Sequence, residues 1–326
     1  MRRRILAAVA AAMLATALQV GAARADDKAS LRLNWLAYGF HAPFYLGVAK
    51  GLYRAQGIDL TVGEGQGSGR AVQIVAAGSD TFGLADGTAI VSGAAHGVPV
   101  VAVMGIMDQS PNGVIVRKDS GITTLAGLKG ETLAATTGEA GLTVFPAVMR
   151  SQKIPADAIR ILRVDGAAKL VAVLEKRAVG VLGGIENQAL ILEQRGLPVT
   201  TLLYSSLGVN SIGLAILTTG DTAKANPDLV RRFVAATRVS FELAAREPDA
   251  AIDALLAVKP TLDRGLSMAQ LQTGLPLMRS THGPDKPVGW MAPEDWAETL
   301  ALMKEYQGLE TDMPASAFWT DAFLPR

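Results

Sequence analysis

Residues 58–96 have the sequence IDLTVGEGQGSGRAVQIVAAGSDTFGLADGTAIVSGAAH, in which short apolar runs alternate with helical patterns. Residues 58–62 and 81–85 are typical of strands, whereas residues 70–77 and 88–96 repeat their apolar positions at helical spacing. Strands that alternate with helices predict βαβ units and a parallel sheet that helices cover.

The same alternation extends in both directions from this stretch. It begins with a strand at residues 31–36, continues through a second series of strands and helices, and becomes helical after a strand near residue 212. Two such series predict an α/β protein of two lobes with two crossings between them, at residues 109–113 and 207–211. Both crossings are rich in Gly, Ser and Asn, which suits hinges. The alternative for both is an ordinary surface turn.

We therefore predict a first lobe formed by residues 26–110 and 211–326, which includes the C-terminal helices, and a second lobe formed by residues 111–210. The residues before the first lobe have the features of a secretory signal peptide. Arg2, Arg3 and Arg4 precede an apolar run, and an A-x-A motif ends at Ala25. The alternative is a membrane anchor, but the apolar run is shorter than the roughly 20 residues that a span needs.

The composition excludes several classes of function. The chain has 326 residues, 31 of them basic and 30 acidic, so its net charge of +1 offers no basic surface for a nucleic acid. It contains no cysteine, which excludes disulfides, iron–sulfur clusters, cysteine nucleophiles and a lipid-anchored cysteine. Its three histidines, His41, His96 and His282, are too far apart in sequence for a local metal motif. We therefore predict no catalytic residue, metal or cofactor, and a soluble, freely diffusing protein of the periplasm.

Ligands of open α/β sheets bind beyond the carboxyl ends of the strands. The candidate ligand contacts are therefore to be found among the residues that follow the predicted strands. These residues are mostly aromatic, polar or glycine, and they include Gly65, Thr88, Ser110, Asn112, Thr136, Gly138, Glu139 and Gln188. From this set we predict twelve ligand contacts, namely Trp35, Tyr38, His41, Glu64, Gly67, Ser68, Gly69, Asp86, Gln109, Thr137, Glu186 and Asn187.

Two of these segments allow a specific interpretation and an alternative. Flat rings at Trp35 and Tyr38 suit stacking on a planar ligand, whereas His41 either contacts the ligand or starts a helix. The glycines at residues 65, 67 and 69 let the backbone approach a ligand, with Ser68 as a cap or a contact, but they match neither a P-loop nor a dinucleotide motif. The alternative for this turn is a flexible connection before a capped helix.

The charges in this set favour one chemistry of ligand. Glu64, Asp86, Glu139 and Glu186 are acidic, against a single Arg70 in the same loops. Carboxylates accept hydrogen bonds, so they suit ligands with N–H donors or a positive charge and disfavour nitrate and sulfonate.

Several short motifs carry a resemblance to a known family. They are Trp35 with His41-Ala42-Pro43-Phe44-Tyr45, then Lys50-Gly51-Leu52-Tyr53, Gly57-Ile58-Asp59-Leu60, Phe82-Gly83-Leu84-Ala85-Asp86 and Leu125-Ala126-Gly127-Leu128-Lys129-Gly130. With these motifs, residues 30–245 resemble periplasmic solute-binding proteins of ABC importers for thiamine-pyrimidine precursors and, more broadly, for nitrate, sulfonates and taurine.

The resemblance implies a fold, a set of contacts and partners. It implies a two-lobed, type II-like periplasmic binding protein that clamps a small molecule in the cleft and delivers it to an ABC permease of the inner membrane. It also implies an aromatic pocket from Trp35 and Tyr38 and polar contacts from Ser68 and Asp86. In the second lobe, it implies contacts from Thr137 and from Glu186 or Asn187.

The His-Ala-Pro-Phe-Tyr form points to the pyrimidine-precursor branch, so we predict an import receptor for a small, planar nitrogen heterocycle. The alternatives are a receptor for nitrate, sulfonate or taurine and a sensor or adaptor that uses the same clamp. A pyrimidine-synthesising enzyme is a further alternative, but such relatives use an iron site and a cysteine-rich segment, and this chain has no cysteine.

Overall fold

The computed structural model describes residues 26–325, so the predicted signal peptide at residues 1–25 lies outside the described residues. The described residues contain ten strands, arranged in two five-stranded sheets. The strands are β1 (Asp27–Arg32), β2 (Ile58–Gly63), β3 (Phe82–Asp86), β4 (Val100–Met107), β5 (Asn112–Arg117), β6 (Thr132–Ala135), β7 (Arg160–Arg163), β8 (Gly180–Gly184), β9 (Val199–Leu203) and β10 (Leu214–Thr219).

Helices connect these strands and form the C-terminal part of the chain. They are α1 (Ala42–Ala49), α2 (Ser68–Ala76), α3 (Gly87–Ala95), α4 (Ala140–Ser151), α5 (Gly166–Leu174), α6 (Leu190–Gln194), α7 (Gly220–Ala225), α8 (Pro227–Arg246), α9 (Pro248–Val258), α10 (Arg264–Gly274) and α11 (Pro293–Gln307). Between residues 26 and 325, no helix combines the length and the apolar character that crossing a membrane requires.

The two sheets have the same plan. The first has the strand order β2-β1-β3-β10-β4 and the second the order β7-β6-β8-β5-β9. Strands β1, β2 and β3 are parallel, and so are β6, β7 and β8. Strand β10, however, runs antiparallel to β3 and β4, and β5 runs antiparallel to β8 and β9. The predicted parallel arrangement therefore holds for β1, β2 and β3, whereas each sheet also contains one antiparallel strand, β10 or β5.

Both antiparallel strands begin where the chain passes from one sheet to the other. It leaves β4 at Met107 and enters β5 at Asn112, and it returns between Leu203 and Leu214. A chain that crosses at the carboxyl ends of one sheet starts its next strand from the same side, so that strand runs against the βαβ strands. The predicted segment at residues 207–211 lies within the second crossing, whereas the one at residues 109–113 extends from the first crossing into β5. Hinge motion there and the lobe boundaries near residues 110 and 211 stay predictions.

Strand β1 lies earlier in the chain than predicted. Asp27–Arg32 pairs residue by residue with Ile58–Gly63, which fixes the register of the strand. The residues that follow form a loop that ends in a short 3-10 turn at Gly39–His41. The loop carries Trp35 and Tyr38 beyond the end of the strand, at the side where the chain crosses.

The first sheet is packed against α1 and α8 through aromatic rings. Phe82 of β3 stacks on Phe233 of α8 with 3.8 Å between the ring centroids. Phe44 of α1 meets Phe241 of α8 edge to face at 5.0 Å. All four side chains are fully buried, so α8, although far along the chain, forms part of the core of the first sheet.

A second apolar cluster contains residues of both sheets. It includes Ala215 of β10, Val116 of β5 and Phe145 of α4, together with Trp296 of α11. Because this cluster is continuous, α11 helps to hold the two sheets in their observed arrangement.

Replacing Phe233 by alanine is expected to lower the free energy of unfolding by about 3–5 kcal/mol, since it removes a buried ring and leaves a cavity. Val239 on the same helix is 43% exposed, so Val239→Ala is the matched control and should change stability by about 0.5 kcal/mol or less. Urea unfolding measures both. If Phe233→Ala lowers the free energy of unfolding by less than about 1 kcal/mol, the ring does not contribute to the core as proposed.

Candidate functional site

A small cavity lies where the loops of the two sheets meet. Its volume is about 50 Å³, far below the roughly 300–1,000 Å³ of typical ligand pockets, so its walls are close together in this conformation. The cavity is lined by Asn34, Trp35, Tyr38, Gly67, Ser68, Asp86, Pro111, Asn112, Glu139, Ala140, Gly141, Gly183, Gly184, Glu186, Asn187, Gln188 and Leu214.

Hydrogen bonds join the two sides of the cavity. The Tyr38 hydroxyl donates to Oε1 of Glu186 over 3.0 Å. At one margin, the backbone N–H of Gly69 donates to the carbonyl of Gly138 over 3.1 Å. The Gln270 amide donates to Oδ1 of Asn187 over 2.9 Å. These contacts connect helices and loops on opposite sides of the cavity, and they hold the walls together.

Glu186 is the most unusual polar group of the cavity. Its side chain is buried, and Oε2 has no hydrogen-bond partner among the described residues. Burial, and to a smaller extent the nearby Asp86, raises the pKa of Glu186 to about 7, although the Tyr38 hydroxyl opposes the shift. Glu186 therefore keeps one acceptor oxygen available inside the cavity and titrates near neutral pH.

Asp86 is buried as well, but both of its oxygens have partners. Oδ2 accepts a hydrogen bond of 2.6 Å from the Ser68 hydroxyl, and Oδ1 accepts one of 3.0 Å from the Asn112 amide. Burial raises the pKa of Asp86 to about 6, and these two hydrogen bonds limit the rise. The network fixes the carboxylate against the start of α2 and β5.

Glu139 and Lys169 form a buried ion pair beside the cavity. Lys169 is fully buried, and its ammonium donates to Oε2 of Glu139 and to the Leu182 carbonyl. Oε1 of Glu139 accepts a hydrogen bond of 2.8 Å from the backbone N–H of Thr136. Burial raises the pKa of Glu139, and the charge of Lys169 opposes this shift. The ion pair leaves neither carboxylate oxygen without a partner.

Trp35 separates the cavity from a wider groove. The Lys169 ammonium lies 4.9 Å from the centroid of its ring, a cation–π contact. The groove has a volume of about 1080 Å³ and also touches Gly69 and Thr137. A Cβ atom at Gly166 would stand 2.8 Å from the Trp35 ring, so a residue without a side chain allows this close approach.

The structure brings most of the predicted contacts together. Seven of them line the cavity, namely Trp35, Tyr38, Gly67, Ser68, Asp86, Glu186 and Asn187. Gly69 and Thr137 line the adjoining groove together with Trp35. The roles of these residues in ligand binding stay predictions.

The other three predicted contacts lie outside both spaces. His41 is fully buried behind Tyr38, its Nε2 stands 3.0 Å from Oδ1 of Asn34, and burial lowers its pKa to about 3. Glu64 accepts a hydrogen bond from the backbone of Ala37 and pairs with a lysine side chain. The Gln109 amide donates to a backbone carbonyl near the C-terminal helices. Position after a strand does not by itself direct a side chain into the cleft.

The predicted set of contacts lacked Asn112, which lines the cavity, and Lys169, which pairs with the lining residue Glu139. Asn112 follows a predicted strand, but nothing in the sequence links it to Asp86. Lys169 did leave a signal, because it is the one charged residue in the apolar run of residues 167–174. A charge that interrupts the buried face of a helix commonly has a buried partner.

Residues 39–251 match the family described as NMT1/THI5 like. The chain is 24% identical to "Riboflavin-binding protein RibY" of Chloroflexus aurantiacus, over 92% of this chain and 86% of that protein. It is 25% identical to the 4-amino-5-hydroxymethyl-2-methylpyrimidine phosphate synthase THI11 of Saccharomyces cerevisiae, over 76% of this chain and 75% of the synthase.

Solved structures share the fold. The alkanesulfonate-binding protein SsuA of Xanthomonas axonopodis pv. citri, bound to MOPS, is similar with a TM-score of 0.72 and 17% identity, over 91% of this chain and 99% of that chain. The likeness confirms the predicted two-lobed fold of periplasmic binding proteins.

The stability of the protein should depend on pH through Glu186. Its pKa is about 7 in the folded protein against an ordinary value of 4.5 for a glutamate side chain, so the folded state binds its proton more tightly than the unfolded state. The resulting stabilisation is complete below about pH 4.5 and is lost as the pH rises to about 7, with a full amplitude of up to about 3 kcal/mol.

Urea unfolding of the wild type and of Glu186→Gln at pH values across this window measures the effect. Asp86 titrates in both proteins, so the difference between them isolates Glu186. The wild type should gain stability relative to the variant as the pH falls. A difference that does not change with pH is the contradictory result.

Replacing Lys169 by methionine is expected to lower the free energy of unfolding by about 3–5 kcal/mol, because it leaves Glu139 buried without a cation. In the double variant Glu139→Gln/Lys169→Met no charge remains to be buried, so part of the loss should be recovered. Urea unfolding of both single variants and the double variant gives the coupling energy. If the losses in unfolding free energy of the two single variants simply add up in the double variant, Glu139 and Lys169 do not form an energetically coupled pair.

Proposed function

This chain belongs to the NMT1/THI5-like family, and we propose that it is the exported solute-binding component of an ABC importer. Its ligand is a small, planar nitrogen heterocycle, such as a thiamine-pyrimidine precursor. The protein works in the periplasm and delivers the ligand to a permease in the inner membrane. Relatives named for riboflavin binding and for pyrimidine phosphate synthesis are compatible with a heterocyclic ligand.

One observation carries the proposal: Oε2 of Glu186 is a buried acceptor without a partner, at a cavity that Trp35 and Tyr38 also line. A ring N–H or amino group that donates to this oxygen satisfies it, and the two aromatic rings suit the flat face of a heterocycle. None of the described residues that line the cavity is Lys or Arg. A site that contains carboxylates and no unpaired cation favours a ligand that donates hydrogen bonds over an anionic ligand.

The buried ion pair argues in the same direction. Lys169 lies beside the cavity, and its charge is already matched by Glu139, which lines it. A sulfonate or nitrate placed here would face Asp86 and Glu186 without a free positive charge. This site therefore favours binding of a hydrogen-bond donor over binding of such anions.

Ligand binding is expected to act on the contacts between the two sides. The cavity must widen to admit a heterocycle, and the same groups then close on it. A ligand that hydrogen-bonds to Glu186 from within the cleft makes more contacts in the closed form than in an open one, so it shifts the population toward the closed form. That closed form is the species that a permease would recognise.

Catalysis by this chain is less well supported than binding. The imidazole of His41 is buried behind Tyr38 and does not line the cavity. The solved structures that it resembles include a solute-binding protein, whereas some curated relatives are named as synthases. A sensor or adaptor would use the same clamp, and gene neighbours that encode a permease and an ATPase distinguish the importer from it.

The experiment combines identification with a matched pair of variants. Mass spectrometry of the native protein identifies co-purifying ligands, and calorimetry then compares an aminopyrimidine, riboflavin, an alkanesulfonate and nitrate. Binding of a heterocycle and not of the anions is the expected result. Binding of an anion alone contradicts the proposal.

Glu186→Gln should weaken binding of a neutral N–H donor by about 1.5–3 kcal/mol, since it removes a charge-assisted hydrogen bond. Glu64→Gln makes the same chemical change beyond the end of β2, outside the cavity, and should leave the affinity unchanged. Wild-type affinity should also fall as the pH drops below about 7, where Glu186 becomes protonated. Equal effects of the two substitutions contradict the assignment of Glu186.

A further inference from the structure

A second cluster of ligating side chains lies outside the cavity, between α11 and the loop that precedes it. His282 belongs to the loop, and its Nδ1 stands 2.7 Å from Oδ1 of Asp295. Its Nε2 stands 3.6 Å from Oε1 of Glu298. One ligand atom from each of the three residues lies within 4.8 Å of the others. None of the three lines the described cavity or groove.

One carboxylate oxygen of Asp295 accepts no hydrogen bond from the described residues around it. Its side chain is 10% exposed, and Oδ2 has no hydrogen-bond partner among the described residues. Three carboxylates, those of Asp295, Glu298 and Glu294, act on the single imidazole of His282, so the cluster has more carboxylates than one imidazole can balance.

The orientation of the imidazole matches that of a metal-binding histidine. Such residues commonly donate one ring N–H to a carboxylate, which fixes the ring and leaves the lone pair of the other nitrogen for the ion. Asp295 accepts at Nδ1 and so fills this role. The 3.6 Å between Nε2 and Oε1 of Glu298 is close to the separation of two ligands that each lie roughly 2.0–2.2 Å from one zinc ion.

We propose that His282 Nε2 and Glu298 Oε1 bind a divalent transition-metal ion of the zinc class, while Asp295 orients the imidazole. An imidazole beside carboxylates suits zinc, whereas magnesium and calcium prefer sites built from oxygen alone. Glu294, one turn earlier on α11, adds negative charge toward the same imidazole. Water completes the coordination at the exposed side.

The site joins two parts of the chain that stand next to the first crossing. The loop segment before His282 accepts a hydrogen bond at Leu277 from the backbone of Gln109, and α11 contributes Trp296 to the cluster shared by both sheets. An ion that ties His282 to α11 therefore stabilises the folded protein by mass action.

The test uses untagged full-length protein that has been stripped of metal with a chelator. Calorimetric titration with zinc chloride should give one ion per chain, and magnesium chloride should give no comparable binding. His282→Gln and Glu298→Gln should each weaken zinc binding at least tenfold, and Asp295→Asn by about 10–100-fold. Zinc should also raise the melting temperature of the wild type and not that of His282→Gln.

The chain supplies a matched control in His96, an exposed imidazole whose Nδ1 faces the Ser92 carbonyl. His96→Gln should bind zinc as the wild type does. Binding that survives His282→Gln, or that His96→Gln reduces equally, overturns the site. Nitrogen NMR of the imidazoles should show zinc at Nε2 of His282 with Nδ1 still protonated, and zinc at Nδ1 overturns the proposed arrangement.

Discussion

The burial of three carboxylates between the two sheets is the constraint on which the cavity depends. An ionised carboxylate that leaves water needs hydrogen bonds or a cation to offset the lost hydration. Asp86 obtains two side-chain donors, and Glu139 obtains Lys169. Glu186 obtains one side-chain donor among the described residues, the hydroxyl of Tyr38 on the other side of the cavity, together with its own backbone N–H. The shortage of donors at Glu186 makes this position different from its two neighbours.

The same constraint couples the two sides of the cleft. The donor for Glu186 comes from the loop after β1, and the partners of Trp35 include Lys169 from α5. Any separation of the two sides exposes these groups to water and exchanges their mutual contacts for hydration. Closing returns them to a low-dielectric environment in which each hydrogen bond counts for more. Recognition of a ligand and the arrangement of the two sheets are therefore parts of one equilibrium.

Much of the fold could be predicted from local patterns. The alternation of strands and helices, the two series, and the boundaries of α8 and α11 follow from apolar periodicity and from proline at the helix starts. The direction of β10 could not be predicted in this way, because it depends on the side from which the chain returns. The start of β1 was misplaced because pairing with β2, and not the local alternation, decides its register.

The sequence by itself determined which kinds of residue follow the strands, and therefore that rings and carboxylates gather at the cleft. Only the tertiary structure decided which carboxylate keeps a free oxygen, and that His41, Glu64 and Gln109 turn elsewhere. The physical reason is distance along the chain. Tyr38 and Glu186 are 148 residues apart, and no local pattern predicts that the hydroxyl of one donates to the carboxylate of the other. Hydrogen bonding and desolvation are properties of the packed molecule, whereas periodicity is a property of the chain.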